Sequence, residues 1–273
     1  MQAINAISIA PDANAWLANV SHPQILHVFD HACNLINERR EVLSVVTLQI
    51  GDGPFSLVVH EGICFSKYLS LESTVSTSPT RLDLGDLIVD STNAKIWNPY
   101  PDWERLHTGK ADIGYQLMQL QIADSSPSNP PISNFSSALA AADLASSLTA
   151  AQKLAGLGIG LTPAGDDYLM GAMYAAWIIH PQEVASTLTQ EIANTSAPLT
   201  TSLSAAWLRS AGRGEAGILW HRFFDALVST DIARSQRIKK DILAVGETSG
   251  ADALAGFASV FAAWMEKTGS FRG

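Results

Sequence analysis

The string Gly156-Leu-Gly-Ile-Gly-Leu-Thr-Pro-Ala-Gly-Asp-Asp-Tyr-Leu-Met-Gly171 ends in the pattern Gly-x-Asp-x-Leu-x-Gly, and a second copy stands at Gly250-Ala-Asp-Ala-Leu-Ala-Gly256. Each copy follows small and polar residues: Gly158 to Ala164 before the first, Gly246-Glu-Thr248-Ser249 before the second. Each leads into an apolar, charge-poor segment. A helix begins in this way when its first turn faces a ligand. Glycines let the backbone approach closely, free N–H groups point outward, and carboxylates sit at the positive end of the helix dipole. The spacing predicts helices over 167–180, stopped by Pro181, and over about 251–267. Two helix starts of one kind predict that they converge on one pocket.

Outward from these motifs the C-terminal half is rich in Ala, Leu and Ser. It predicts a single helix over 136–155, ending at Gly156, and further helices over 182–194, 199–211, 215–229 and 231–244. No charged residue lies between Asp167 and Glu183, or between Glu191 and Arg209, so these helices are expected to be buried on most sides. The front half reads differently. Val42 to Ile50 is β-branched and stops at Gly51-Asp-Gly53-Pro54, and Phe55 to His60 returns, which together predict a hairpin. Ile63 to Leu69 extends the meander, and Leu82–Asp90 and Ala94–Trp97 supply two short strands. Ile25–Ile36 fits strand or helix. The expected fold is α+β: a β-rich N-terminal domain over 1–124, a linker over 125–132 marked by Ser125-Ser-Pro-Ser-Asn-Pro-Pro131, and an all-helical domain over 133–273 carrying the motifs.

The 273 residues carry a net charge of −9, from 17 basic and 26 acidic groups, and no basic cluster is longer than Arg237-Ile-Lys239-Lys240. Nucleic acid is therefore not an expected partner. Residues 1–130 hold 7 basic and 14 acidic groups, and residues 131–273 hold 10 and 12. The motif-bearing half is thus nearer neutral and more hospitable to a small anionic substrate. The two cysteines, Cys33 and Cys64, have neither C-x-x-C nor zinc spacing, as expected of reduced thiols. No signal peptide pattern and no apolar run long enough to span a bilayer is seen, so a cytoplasmic location without membrane contact is expected.

The candidate chemistry lies in the motifs. Gly158, Gly160 and Gly165 favour successive outward N–H groups, a nest for an oxyanion, although the Walker lysine and the Rossmann spacing are missing. The alternative for this loop is a helix C-cap followed by a tight turn. Asp166 and Asp167 exceed what one helix cap needs. With Asp252 in the equivalent position, the three carboxylates are candidate ligands of Mg²⁺ or another hard cation. Alternatively Thr162, Asp167, Thr248 and Asp252 tie the two helix starts together. Arg213, flanked by glycines and four residues after Arg209, is a candidate to grip a carboxylate or phosphate. The histidines are scattered without an H-E-x-x-H pattern, and no G-x-S-x-G elbow exists.

The Gly156–Gly171 string, with Gly246-Glu-Thr-Ser-Gly-Ala-Asp-Ala-Leu-Ala-Gly256 downstream, resembles the AllH-type family. One branch of that family belongs to oxamate carbamoyltransferase of allantoin degradation, in purine catabolism. There the AllH-like chain works beside two other subunits, one of them similar to acyl-CoA synthetases. The reaction passes a carbamoyl group between oxalurate and phosphate, giving oxamate and carbamoyl phosphate. The resemblance implies a transferase component within a hetero-oligomer and assigns no catalytic residue. The residues themselves make Asp166, Asp167, Asp252 and Thr162 the catalytic candidates, and Gly158, Gly160, Gly165, Arg213, Thr248, Ser249 and Gly250 the anion-binding ones. Two other functions fit the same residues. One is a Mg²⁺-dependent hydrolase, by analogy with the acidic helix starts of ADP-ribosylglycohydrolases. The other is a non-catalytic subunit whose glycine loops pack on a partner.

Overall fold

A computed structural model describes residues 2–60, 62–122 and 130–269. The chain divides into two compact units, Met1–Pro99 and Tyr100–Gly273.

In the first unit the described residues form a mixed, nine-stranded sheet. Its strands are β1 (Gln2–Ile9), β2 (Gln24–Val28), β3 (Ala32–Ile36), β4 (Val42–Thr47), β5 (Ser56–Val59), β6 (Val75–Ser78), β7 (Arg81–Leu84), β8 (Leu87–Asp90) and β9 (Lys95–Ile96), with one helix, α1 (Pro11–Asn19), after β1. The order is β2-β3-β4-β5-β1-β8-β7-β6, and β9 also pairs with β1. The first half of β1 runs parallel to β8 and its second half antiparallel to β5, around a register shift between Ala6 and Ser8, so the sheet bends there. Leu35, Leu43, Val45, Leu57, Leu82 and Val89 form the core, covered by Trp16 and Leu17 of α1.

Several local expectations are corrected. β4 and β5 pair parallel, Val45 with Leu57, and are not a hairpin. Every residue of β4 and β5 is buried, as in strands packed on both faces, and the eight-residue link Leu48–Phe55 carries the chain back to start β5 beside β4. Ile63–Leu69 is no strand: Phe65–Lys67 makes one 3-10 turn, with Phe65 and Leu69 as apolar plugs. The ambiguous Ile25–Ile36 is a β2–β3 hairpin, and Leu82–Asp90 splits at Gly85 into β7 and β8.

The second unit is helical throughout its described residues: α2 (Trp103–Thr108), α3 (Lys110–Gln119), α4 (Pro130–Ala140), α5 (Leu144–Leu154), α6 (Ala164–Ile179), α7 (Gln182–Ser196), α8 (Ser202–Gly212), α9 (Ile218–Val228), α10 (Ile232–Leu243) and α11 (Ser249–Thr268). It begins at Tyr100, earlier than the expected boundary at 124, because Trp103, Leu106, Ile113 and Leu117 join the helical core. The expected linker lies mostly outside the described residues, and α4 starts at Pro130. The helix expected over 136–155 breaks at Ala142, whose φ is +58°, and Asp143 caps α5 by accepting from the Ser146 N–H. α6 is the central helix, buried along nearly its whole length as its lack of charge requires, and α11 packs beside it. At the other end of α6, His107 Nδ1 donates to Ile178 O at 2.7 Å and Lys110 Nζ to Ile179 O at 3.3 Å, closing the last turn.

Candidate active site at the paired helix starts

The two motifs are built alike. At each, the first glycine seats its helix start on the end of the preceding helix. A Cβ on Gly165 would lie 2.0 Å from Leu154 O, and one on Gly250 1.8 Å from Ile242 O. The same glycines donate their N–H to Leu157 O at 2.9 Å and Val245 O at 3.1 Å. The last glycine of each motif meets the other motif's backbone. A Cβ on Gly171 would lie 1.8 Å from Ala253 O, and one on Gly256 2.0 Å from Tyr168 O. Tyr168 and Ala253 hold matching places, each one residue after its motif aspartate. Thus α5–α6 and α10–α11 are two similar helix–loop–helix units that cross as a local two-fold pair, with backbones in contact. The convergence expected from the doubled pattern is met through these glycines.

Between the crossing helices the Thr162 and Ser249 hydroxyls are bonded at 2.8 Å. Asp167, 6 % exposed, lies beside them. Burial pushes its carboxyl up to about 7; the Ser249 and Thr162 hydroxyls pull it down, and the charges of Asp252 and Asp166 push it further up. Burial also raises Asp252, against the Thr248 hydroxyl, which lowers it. One oxygen of each acid, Oδ2 of Asp167 and Oδ2 of Asp252, is buried without a hydrogen-bond partner. Two acceptors left without donors fit a group that brings N–H or O–H donors to them.

Asp166 serves another purpose. It is 2 % exposed, accepts from the Gly156 N–H at 2.8 Å, and accepts from the Thr200 hydroxyl. It therefore ties the α5–α6 loop to the start of α8, and Thr201 adds a bond to Leu161 O at 2.6 Å. Among the described residues no three His, Cys, Asp or Glu side chains gather to hold a metal ion, so the expected three-carboxylate Mg²⁺ site does not assemble. With Asp166 turned into the loop, the acid whose charge acts on Asp167 from the other motif is Asp252. Asp166→Ala should lower stability by about 2–3 kcal/mol, because it strips the Gly156 N–H and Thr200 of a charged acceptor. Urea unfolding compared with wild type measures this loss.

The anion contacts expected of the glycines are revised in the same way. Gly165 and Gly250 spend their N–H groups on Leu157 and Val245, and both are packing glycines. Gly158 has φ +126° and lies against the Ala164 N–H side of the α6 start. Gly160, with φ +97°, meets nothing within 4 Å and belongs to the outer loop. Arg213 is elsewhere. It forks onto Glu215, Nε to Oε1 at 3.0 Å and Nη2 to Oε2 at 2.7 Å. Its neighbour Gly214 packs on Trp177, ten residues and so about 15 Å along α6 from Asp167.

A cavity of about 470 Å³ opens beside the paired starts. Gly158, Gly165, Ala251 and Asp252 form its motif side, Leu154, Leu157, Leu243 and Leu254 its apolar wall, and Lys239, Gln121 and Tyr168 its polar points. Lys239 Nζ donates to Leu120 O at 2.7 Å, and the Tyr168 and Ser136 hydroxyls are bonded at 2.6 Å. Sequence reasoning missed Thr200, Lys239 and Tyr168. Thr200 falls in the first turn of an expected helix and Tyr168 follows Asp167, but only the packing shows which way they face.

A family model described as oxamate carbamoyltransferase subunit AllH matches residues 154–261, and one described as the AllH family N-terminal domain matches residues 5–96. The chain belongs to the AllH family. Both helix starts lie within the first match, and the N-terminal AllH match falls within the strand-bearing unit. The family description, a subunit, implies further subunits. No curated protein and no solved structure matches the chain. Among the described residues of this AllH chain no helix is long and apolar enough to cross a membrane.

Proposed function

We propose that this AllH chain is the carbamoyltransferase subunit that holds the amide end of a small anionic substrate, oxamate or oxalurate, between Asp167 and Asp252. The observation that carries this is the pair of buried carboxylate oxygens without donors at the meeting point of the two motifs. A carbamoyl or primary amide nitrogen supplies two N–H donors, which two such acceptors would satisfy. Chemistry at the site has one further need. When the carbamoyl C–N bond of oxalurate breaks and a C–O bond to phosphate forms, the departing amide nitrogen must take up a proton. An acid raised to about 7 is half protonated at neutral pH, and Asp167 is suited to supply that proton. In the reverse direction it takes the proton back.

In a complex reconstituted with its partner subunits, Asp167→Asn and Asp252→Asn should each lower carbamoyl transfer about 100-fold or more while leaving assembly intact. A second reading is favoured by the outer loop, where Ile159 is 96 % exposed between two left-handed glycines, with Leu157 and Leu161 also exposed. On that reading the chain is a docking subunit without chemistry of its own. It predicts that Ile159→Asp abolishes co-purification and that the two aspartate variants transfer at the wild-type rate, which would end the catalytic proposal.

A further inference from the structure

We infer that the cavity beside the paired helix starts takes an amide-bearing carboxylate with an apolar side chain, a molecule larger than oxamate. The inference rests on the reading that Asp252 receives an amide. Oxamate has only six heavy atoms, roughly, and no apolar part, whereas the cavity of about 470 Å³ falls in the range that encloses drug-sized ligands. Its walls decide the chemistry. Asp252, half-buried, stands at the motif side and offers a carboxylate acceptor to the cavity. Lys239 contributes a cation whose bond to Leu120 O leaves its other N–H donors for a carboxylate. Between them Leu154, Leu157, Leu243 and Leu254 present apolar surface. A ureido acid with an aliphatic side chain matches all three: its carbamoyl –NH₂ on Asp252, its carboxylate on Lys239, its side chain on the leucines.

The test is calorimetric titration of the full chain with oxamate, N-carbamoylglycine and N-carbamoyl-leucine. The two ureido acids share both polar ends and differ by the side chain. N-carbamoyl-leucine should bind about tenfold or more tightly than N-carbamoylglycine. Ala251→Phe, at an exposed wall position that can be filled without disturbing the core, should cancel that preference. Lys239→Gln should weaken both ureido acids about tenfold, with circular dichroism confirming the fold of each variant. Equal affinity for the two ureido acids would overturn the inference, as would a leucine preference untouched in Ala251→Phe or ureido-acid binding untouched in Lys239→Gln. Oxamate binding without a leucine preference leaves the small-amide reading and removes this one. Tight N-carbamoyl-leucine binding with no affinity for oxamate does the reverse for the choice of substrate.

Discussion

Replacing Gly256 or Gly171 by valine should unfold much of the helical unit: a loss of about 3 kcal/mol or more, and a melting temperature lower by about 10 °C. The reason is geometric. A Cβ at either position would stand 2.0 Å or 1.8 Å from a carbonyl oxygen of the facing helix, and that oxygen is backbone, unable to swing aside as a side chain could. Relief requires α6 and α11 to move apart, and both helices bury long apolar faces in the core of the unit. Gly160→Ala supplies the contrast. Its φ of +97° strains any side chain, but nothing lies within 4 Å, so the change should stay near 1 kcal/mol. Thermal melts of the three variants measure the difference. Equal effects would show that the motif glycines serve turns alone and that the crossing does not depend on them.

The second large effect concerns Asp167 and pH. Its carboxyl sits near 3.8 in the unfolded chain and is pushed up to about 7 in the fold. Between these values the native state binds more protons than the unfolded state, so the stability linked to this group is fully present below pH 4 and falls as pH rises through 7. Across that range the group is worth on the order of 4 kcal/mol. Other groups titrate in the opposite sense. Burial lowers His180, which disfavours the fold as pH drops, and Asp30, Asp90 and Asp143 are lowered by hydroxyl or backbone N–H donors. The informative quantity is therefore the difference between wild type and Asp167→Asn. The asparagine variant should be the more stable at pH 8, by on the order of 3 kcal/mol, with the gap closing by pH 5. Urea unfolding at pH 5, 6.5 and 8 measures the gap; a difference that stays constant with pH would show that Asp167 titrates normally.

Much of the fold is legible in the residues, and the misses have physical causes. The β-branched run of β4 reads as a strand on its own, but its partner's direction depends on β1, whose two halves pair with different neighbours. The helix break at Ala142 carries neither Gly nor Pro; the audible signal is Asp143 followed three residues later by Ser146, a cap hidden in an alanine-rich run. The division of the chain follows Asn98-Pro-Tyr-Pro101, a turn cluster as strong as the one at 125–131. At the site, the repeated pattern foretold the meeting of the helix starts because both glycines of each copy face backbone. It did not foretell that Gly165 and Gly250 would spend their N–H groups inside the turn, nor that Asp166 would serve the loop. Those outcomes depend on Leu157, Val245 and Thr200, which no motif marks. Arg213 resembled an anion grip, but Glu215, two residues on, claims it.

The most direct measurement is titration of oxamate into wild type and into the Asp167→Asn/Asp252→Asn double variant, each shown to be folded. The paired acids predict binding to wild type and a loss of about 100-fold or more in the double variant. Undiminished binding to the double variant would contradict the claim that these helix starts hold the amide, and would place the substrate elsewhere.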